Sequence, residues 1–165
     1  MRKLYIKQQV FTAIDKFTVK DENENDVYLV EGDFVQIGGK KLHIKDMNGN
    51  ELAMVQQKLL ALLPKFFVFI KDEQAAEIKK KIALFGSKYE VIGPGWDVKG
   101  DFFGHDFTVK NGDEEVVSLH KAWLSWGDSY ELEFASGVDE ILALAVVLAV
   151  DIAIEQERES REASN

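Results

Sequence analysis

VDEILALAVVLAVDIAIE, running from Val138 to Glu155, is the stretch that decides the fold. From Ile141 to Ile154 every residue is apolar except Asp151. A helix that is apolar on one stripe lies on a surface, whereas one apolar all round must be enclosed. Ala and Leu, which dominate the run, are good helix formers. Ser136-Gly137-Val138-Asp139 fits a capping pattern in which the serine hydroxyl accepts from the first free backbone N–H groups. Asp139 and Glu140 then sit at the positive end of the helix dipole. The predicted helix covers about residues 138–157, with the charged tail from Glu155 onward fraying.

Enclosure by lipid does not fit the length. Ile141 to Ile154 makes about 21 Å of helix, against a hydrocarbon core of about 30 Å. Acidic residues flank both ends, so no basic side sets an orientation. Enclosure by protein is therefore expected. Nine of those fourteen residues are Ile, Leu or Val, and their gross burial is worth roughly 13–27 kcal/mol. That exceeds the net stability of a typical domain, about 5–15 kcal/mol. The rest of the chain should not hold its fold without this helix.

The remaining composition bounds the container. A chain of 165 residues with 46% hydrophobic and 30% charged residues reads as one soluble globular domain. It lacks cysteine, which excludes disulfides and thiolate chemistry, and no segment at its start has a signal peptide's pattern; cytoplasm is the expected location. A net charge of −9 argues against nucleic acid as a partner, since that binding runs on Lys and Arg against phosphate.

From Leu4 to Phe134 the texture is short β-branched and aromatic runs punctuated by turn residues. Strands are expected near Phe17–Lys20, Val27–Glu31, Phe34–Ile37, Lys41–Lys45, Leu52–Lys58, Lys65–Ile70, Ile78–Leu84, Tyr89–Ile92, Trp96–Lys99, Asp106–Lys110, Val116–Lys121 and Ser129–Phe134. Leu4–Phe11 has no clear pattern, and Gln74–Phe85 suits a helix or a strand, with Lys80 as the misfit in the strand. Asn48-Gly49 and Asn111-Gly112 are tight hairpin signals. Each is followed ten residues later by a lysine, Lys58 or Lys121, and nineteen later by an aromatic, Phe67 or Tyr130. Val30-Glu-Gly-Asp-Phe34 likewise echoes Val98-Lys-Gly-Asp-Phe102. These spacings imply two six-strand pseudo-repeats, about residues 11–70 and 75–135.

The expected fold is therefore mainly β with one buried helix. An eight-stranded barrel is filled by its own side chains, and an eleven-stranded can holds a central helix. A helix with side chains is about 10–12 Å across. Some twelve strands closed around the C-terminal helix fit by size, and a two-sheet sandwich offers no such slot.

VYLVEGDF (Val27–Phe34), GKKLHIKDMNGNEL (Gly39–Leu52), KLLALLPKF (Lys58–Phe66), YEVIGPGWDVKGDFFGHDF (Tyr89–Phe107), WLSWGDSYE (Trp123–Glu131) and LALAVVLAVD (Leu142–Asp151) together resemble the LURP-one-related family over nearly the whole chain. The resemblance implies the tubby-like fold shared with phospholipid scramblases, a twelve-stranded barrel around a hydrophobic helix. The family supplies no catalytic residues to carry over. Tubby domains bind phosphoinositide headgroups through basic residues, and this sequence has no matching motif. A shared fold does not fix function.

Motifs for catalysis are missing: no Gly-x-Ser-x-Gly, phosphate loop or His-Glu-x-x-His occurs. His105, near Asp101 and Asp106, is the candidate acid–base or ligand-binding cluster, set against an ordinary polar corner between strands. His43 and His120 fall within predicted strands. Trp123 and Trp126 are candidates for a ligand surface, although they replace Leu60 and Leu63 of the first repeat, which favours packing. Lys79 and Lys81 are candidates for anionic lipid, with Lys80 turned the other way by strand alternation. Asp21–Asp26 opens like a calcium loop but has Asp26 and Gly32 where the pattern wants Gly and Glu, so a solvated turn is expected, with no metal and no cofactor. Asp151 needs a partner or a route to water. These features favour a non-enzymatic binding or membrane-tethering module, peripheral to a membrane, with anionic lipid headgroups or another protein as partner. A small-molecule binder or enzyme using a barrel-mouth pocket near His105 and Asp101, and lipid scrambling by insertion of the helix, are the alternatives.

Overall fold

The computed structural model describes residues 1–7, 16–33, 39–58, 62–83, 86–125 and 127–165. Twelve strands precede one helix: β1 (Arg2–Lys7), β2 (Lys16–Lys20), β3 (Asp26–Asp33), β4 (Lys41–Asp46), β5 (Glu51–Gln57), β6 (Lys65–Ile70), β7 (Glu73–Ala83), β8 (Gly86–Ile92), β9 (Trp96–Asp101), β10 (Asp106–Asn111), β11 (Glu114–Leu124), β12 (Gly127–Phe134) and α1 (Glu140–Ala163). Each strand pairs antiparallel with its chain neighbours, and the meander closes into a barrel. Closure is made by β1, which pairs β12 from Arg2 opposite Phe134 to Lys7 opposite Ser129. On its other side β1 meets β2 at Tyr5 opposite Lys20.

Alternation along the strands turns one apolar layer inward. Val19, Val30, Ile44 and Val55 on four successive strands are at most 1% exposed, and the other strands contribute equivalents such as Ile78, Leu119 and Leu132. This layer meets a helix that is buried all round from Ala143 to Val150. The container inferred from the all-round apolar run is thus a closed twelve-stranded barrel.

Several boundaries differ from the sequence reading. Asp139, not Ser136, caps the helix, its carboxylate accepting from the Leu142 N–H at 3.0 Å. The Ser136 hydroxyl instead accepts from the chain's amino terminus at 3.4 Å. The helix also runs on to Ala163. Its tail is pinned because Glu157 pairs with Lys80 and with Arg161, and the Arg161 guanidinium lies 4.6 Å from the Phe103 ring centroid. That pairing also accounts for Lys80: β7 is one long strand, and its misfit lysine turns inward to the helix. The patternless N-terminal segment contains strand β1, and the strand expected over Phe34–Ile37 lies outside the described residues.

The meander sends alternate hairpins to opposite ends of the barrel. The β2–β3, β4–β5, β6–β7, β8–β9 and β10–β11 turns surround the helix N-terminus. The β5–β6, β7–β8, β9–β10 and β11–β12 connections surround its C-terminus. Both candidate regions lie at this C-terminal mouth.

Candidate functional site

The β9–β10 turn brings His105 to the helix. Asp101 accepts the Gly104 N–H at 3.0 Å, and a Cβ on Gly104 would lie 2.3 Å from the same carboxylate, so any larger residue would have to displace the Asp101 side chain from this turn. His105 follows in the left-handed region, φ +52°, and its N–H donates to the Phe102 carbonyl at 3.2 Å. This geometry sends the imidazole inward, beside the Tyr130 ring at 5.3 Å between centroids.

There the ring lies between two carboxylates of α1. Its Nδ1 is 2.9 Å from Asp151 Oδ1 and its Nε2 is 3.3 Å from Glu155 Oε1. Asp151 and Glu155 are four residues apart, hence on one helix face. Glu155 in turn accepts from Arg158 at 2.8 Å. Asp151, His105 and Glu155 are 0%, 7% and 7% exposed, whereas the Arg158 side chain is half exposed. The four groups form a chain of alternating acidic and basic side chains from the core to the mouth. Both ring nitrogens face carboxylate oxygens.

Burial pushes the Asp151 carboxyl above its usual range, although the His105 contact works against this. The second oxygen, Asp151 Oδ2, is buried without a hydrogen-bond partner among the described residues, as is the Tyr89 hydroxyl. Chemically this arrangement can hold a proton between imidazole and carboxylate. It presents the ring with no hydroxyl to activate, since its two nitrogen partners are acids. Among the described residues no group of three His, Cys, Asp or Glu is placed to hold a metal.

The sequence candidates therefore disperse. Asp101 serves the turn, and Asp106 contacts His120 Nδ1 at 2.8 Å on the outer face. His105 finds its partners instead in Asp151 and Glu155, which neighbour it only in space. His43 contacts Glu51 at 2.6 Å on the exposed face. Asp21 accepts the N–H groups of Asn23 and Asn25, forming the same polar turn that Asp46 makes with Asn48 and Asn50. Among the described residues, surface cavities of about 420, 300 and 500 Å³ are lined by neither His105 nor Asp101, the last lying at the far ends of β9 and β10 beside Trp96 and Asn111.

The second region is the rim of the same mouth. Trp123, expected to favour packing, is 86% exposed near the β11–β12 turn; Trp126 lies outside the described residues. Three further apolar residues, which sequence pattern did not single out, are exposed around the same mouth: Leu62, Ile82 and Phe103 at 104%, 83% and 53% exposure. Lys79 and Lys81 lie on β7 with Lys80 between them, Lys81 pairing with Glu90 at 2.7 Å.

Charge is segregated between the two ends. The turns around the helix N-terminus at residues 21–26, 46–51, 71–73, 113–115 and 139–140 carry carboxylates with Lys71 among them, the β8–β9 turn is uncharged, and the strand ends beside them add Arg2, Lys3, Lys20, Lys45 and Lys110, which leaves this end strongly acidic. Strand ends at the C-terminal mouth carry Lys7, Lys16, Lys41, Lys58, Lys65, Lys81, Lys88 and Lys121 against Asp33, Asp101, Asp106 and Asp128. The helix tail there adds Glu155, Glu157, Glu159 and Glu162 against Arg158 and Arg161, which offsets part of that lysine excess. The acidic excess of the chain is therefore concentrated at one end, and the lysine-bearing mouth is close to balanced, a pattern invisible in the net charge.

Comparison with known proteins places this architecture. The family model described as LURP-one-related matches residues 2–151, and the chain belongs to that family. It is similar to the uncharacterised protein YxjI of Bacillus subtilis (strain 168), with 32% identity over 154 residues covering 93% of this chain and 94% of the relative. It is also similar to protein LURP-one-related 6 of Arabidopsis thaliana, with 25% identity covering 82% and 80% of the two chains.

Proposed function

We propose that this LURP-one-related protein is a non-enzymatic tethering module whose C-terminal mouth faces an anionic membrane surface. The observation that carries the reading is the segregation of charge along the barrel axis. An acidic far end and a near-balanced, lysine-bearing mouth orient the molecule in the field of an anionic surface, each lysine near that surface being worth about 1 kcal/mol. Lys79 and Lys81 belong to the contacting set in this reading. The helix is then the filling of the scaffold rather than an inserted segment. Among the described residues no helix is long and apolar enough to cross a membrane, and α1 shares its core with the inner faces of the strands.

Enzymatic use of His105 is less well supported, because its ring nitrogens face two structural carboxylates. Co-sedimentation with phosphatidylcholine vesicles, with and without phosphatidylserine, tests the tethering. Binding should require phosphatidylserine, fall with added salt, and weaken in the Lys79→Glu/Lys81→Glu double variant. Equal retention by neutral and anionic vesicles would reject it.

A further inference from the structure

We infer that Leu62, Ile82, Phe103 and Trp123 form an apolar arc that enters the headgroup–acyl boundary of the anionic bilayer. The inference rests on the tethering reading and adds how the contact is made. Leu62 and Phe103 lie on the β5–β6 and β9–β10 connections, and Ile82 and Trp123 lie at the ends of β7 and β11 that reach the same mouth. Among the described residues they are, Met1 apart, the four most exposed large apolar side chains. Ile82 and Trp123 lie on the inward parity of their strands, four residues beyond the buried Ile78 and Leu119. Lys80 and Lys121 separate them from the core in those rows, so each apolar side chain stands beyond the last enclosed layer, past a lysine of the same parity.

Each of the four has a cation beside it. Leu62 lies between Lys58 and Lys65, Ile82 follows Lys81, and Trp123 follows Lys121 by two residues. Phe103 carries the Arg161 guanidinium on its ring. A protein partner favours a contiguous apolar patch with charge excluded from its centre. Here apolar and basic side chains alternate around a rim, the arrangement that lets apolar tips enter the interface while ammonium groups stay at headgroup level. Trp is well suited to that depth. The acidic far end also complements this choice, since it is repelled from the same surface.

Vesicle partitioning and tryptophan fluorescence test the arc. With vesicles of phosphatidylserine in phosphatidylcholine, the wild-type emission should shift blue and be quenched by lipids brominated along the acyl chain. In a Trp126→Phe background, Trp123→Phe should lose most of that response, since the remaining Trp96 is buried near the other end. Leu62→Ser/Ile82→Ser/Trp123→Ser should melt like wild type and partition about tenfold or more weakly, because each exposed side chain forfeits its transfer into the interface. Undiminished binding of that triple variant to anionic vesicles, with no quenching in wild type, would overturn the arc and leave electrostatic tethering standing. Equal binding to neutral vesicles, with quenching, would support the arc and overturn the electrostatic reading. Failure to bind either vesicle would overturn both.

Discussion

Replacing His105 by Asn isolates what the buried chain of acidic and basic groups contributes. Asparagine accepts the left-handed backbone at this position, φ +52°, so the turn itself should survive. The ring, however, is lost from between Asp151 and Glu155, which it contacts at 2.9 and 3.3 Å. Two nearly inaccessible carboxylates then share a site with Arg158 as the nearer one's cation. Breaking a buried pair by removing one partner costs about 3–5 kcal/mol, a sizeable part of a net stability of about 5–15 kcal/mol. For a domain of this size that corresponds to a fall of about 6–20 °C in melting temperature. Urea unfolding across pH is the decisive assay. The Asp151 carboxyl already lies above its usual range through burial, and the ring is what holds it down. Removing the ring raises it further, so the folded variant takes up protons more readily than the unfolded chain. The deficit should therefore be largest near neutral pH and shrink as pH falls toward the ordinary carboxylate range. Asp151→Asn in the same background should recover part of the loss at neutral pH. A loss below about 1 kcal/mol, or one that grows in acid, would refute the reading of His105 as the partner that makes Asp151 tolerable.

Val147 is fully buried at the centre of α1. Val147→Asp forfeits about 1.5–3 kcal/mol of burial and adds an unpaired interior charge costing several kcal/mol more, so cooperative melting should be lost. Glu162→Ala, on the exposed end of the same helix, should stay within about 0.5 kcal/mol of wild type; equal melting points for the two would remove the helix from the core. The Tyr5 and Tyr28 hydroxyls are each pushed up to about 12 by burial and by their contacts with Glu131 and Glu140. Their contribution to stability is complete below the ordinary value near 10 and is lost as pH rises toward about 12. A spectrophotometric titration should accordingly show delayed phenolate formation in the folded chain, and a titration centred at the ordinary value would contradict those contacts.

The barrel was legible because its most informative segment violates the usual rule. A helix with polar residues on one side would have left the number of surrounding layers open, whereas Ile141–Ile154 demanded a wall on every side. Local signals then placed most strands: Tyr130, Leu132 and Phe134 alternate cleanly in β12, and all three are buried. β1 was missed because Leu4, Tyr5 and Ile6 are consecutive apolar residues without a period of two, and all three are buried. Its strand character comes from pairing with β12, at the far end of the sheet-forming sequence, and no local window contains that information. The reading of Lys80 as a misfit failed for a related reason. The residue obeys strand alternation, and its inward position is tolerable only because Glu157 approaches from the helix.

The site was legible by residue type and not by partner. His105 drew attention through Asp101 and Asp106, which are close in sequence, yet the tight turn around Gly104 rotates the ring away from both and into the barrel. Asp151 drew attention as the one charge in an apolar run. Its need for a compensating group was clear, and the four-residue spacing to Glu155 marked one helix face; that this face meets the β9–β10 turn depends on the closed barrel. The rim shows the complementary limit. Leu62, Ile82 and Phe103 are unremarkable as apolar residues in a β-rich chain, because sequence cannot distinguish a side chain that continues an inward row from one that lies beyond its end. Only the helix, by fixing how far the core extends, separates Ile78 from Ile82 and Leu119 from Trp123. The segment that specifies the fold therefore also determines which apolar residues remain outside it, available to meet a surface.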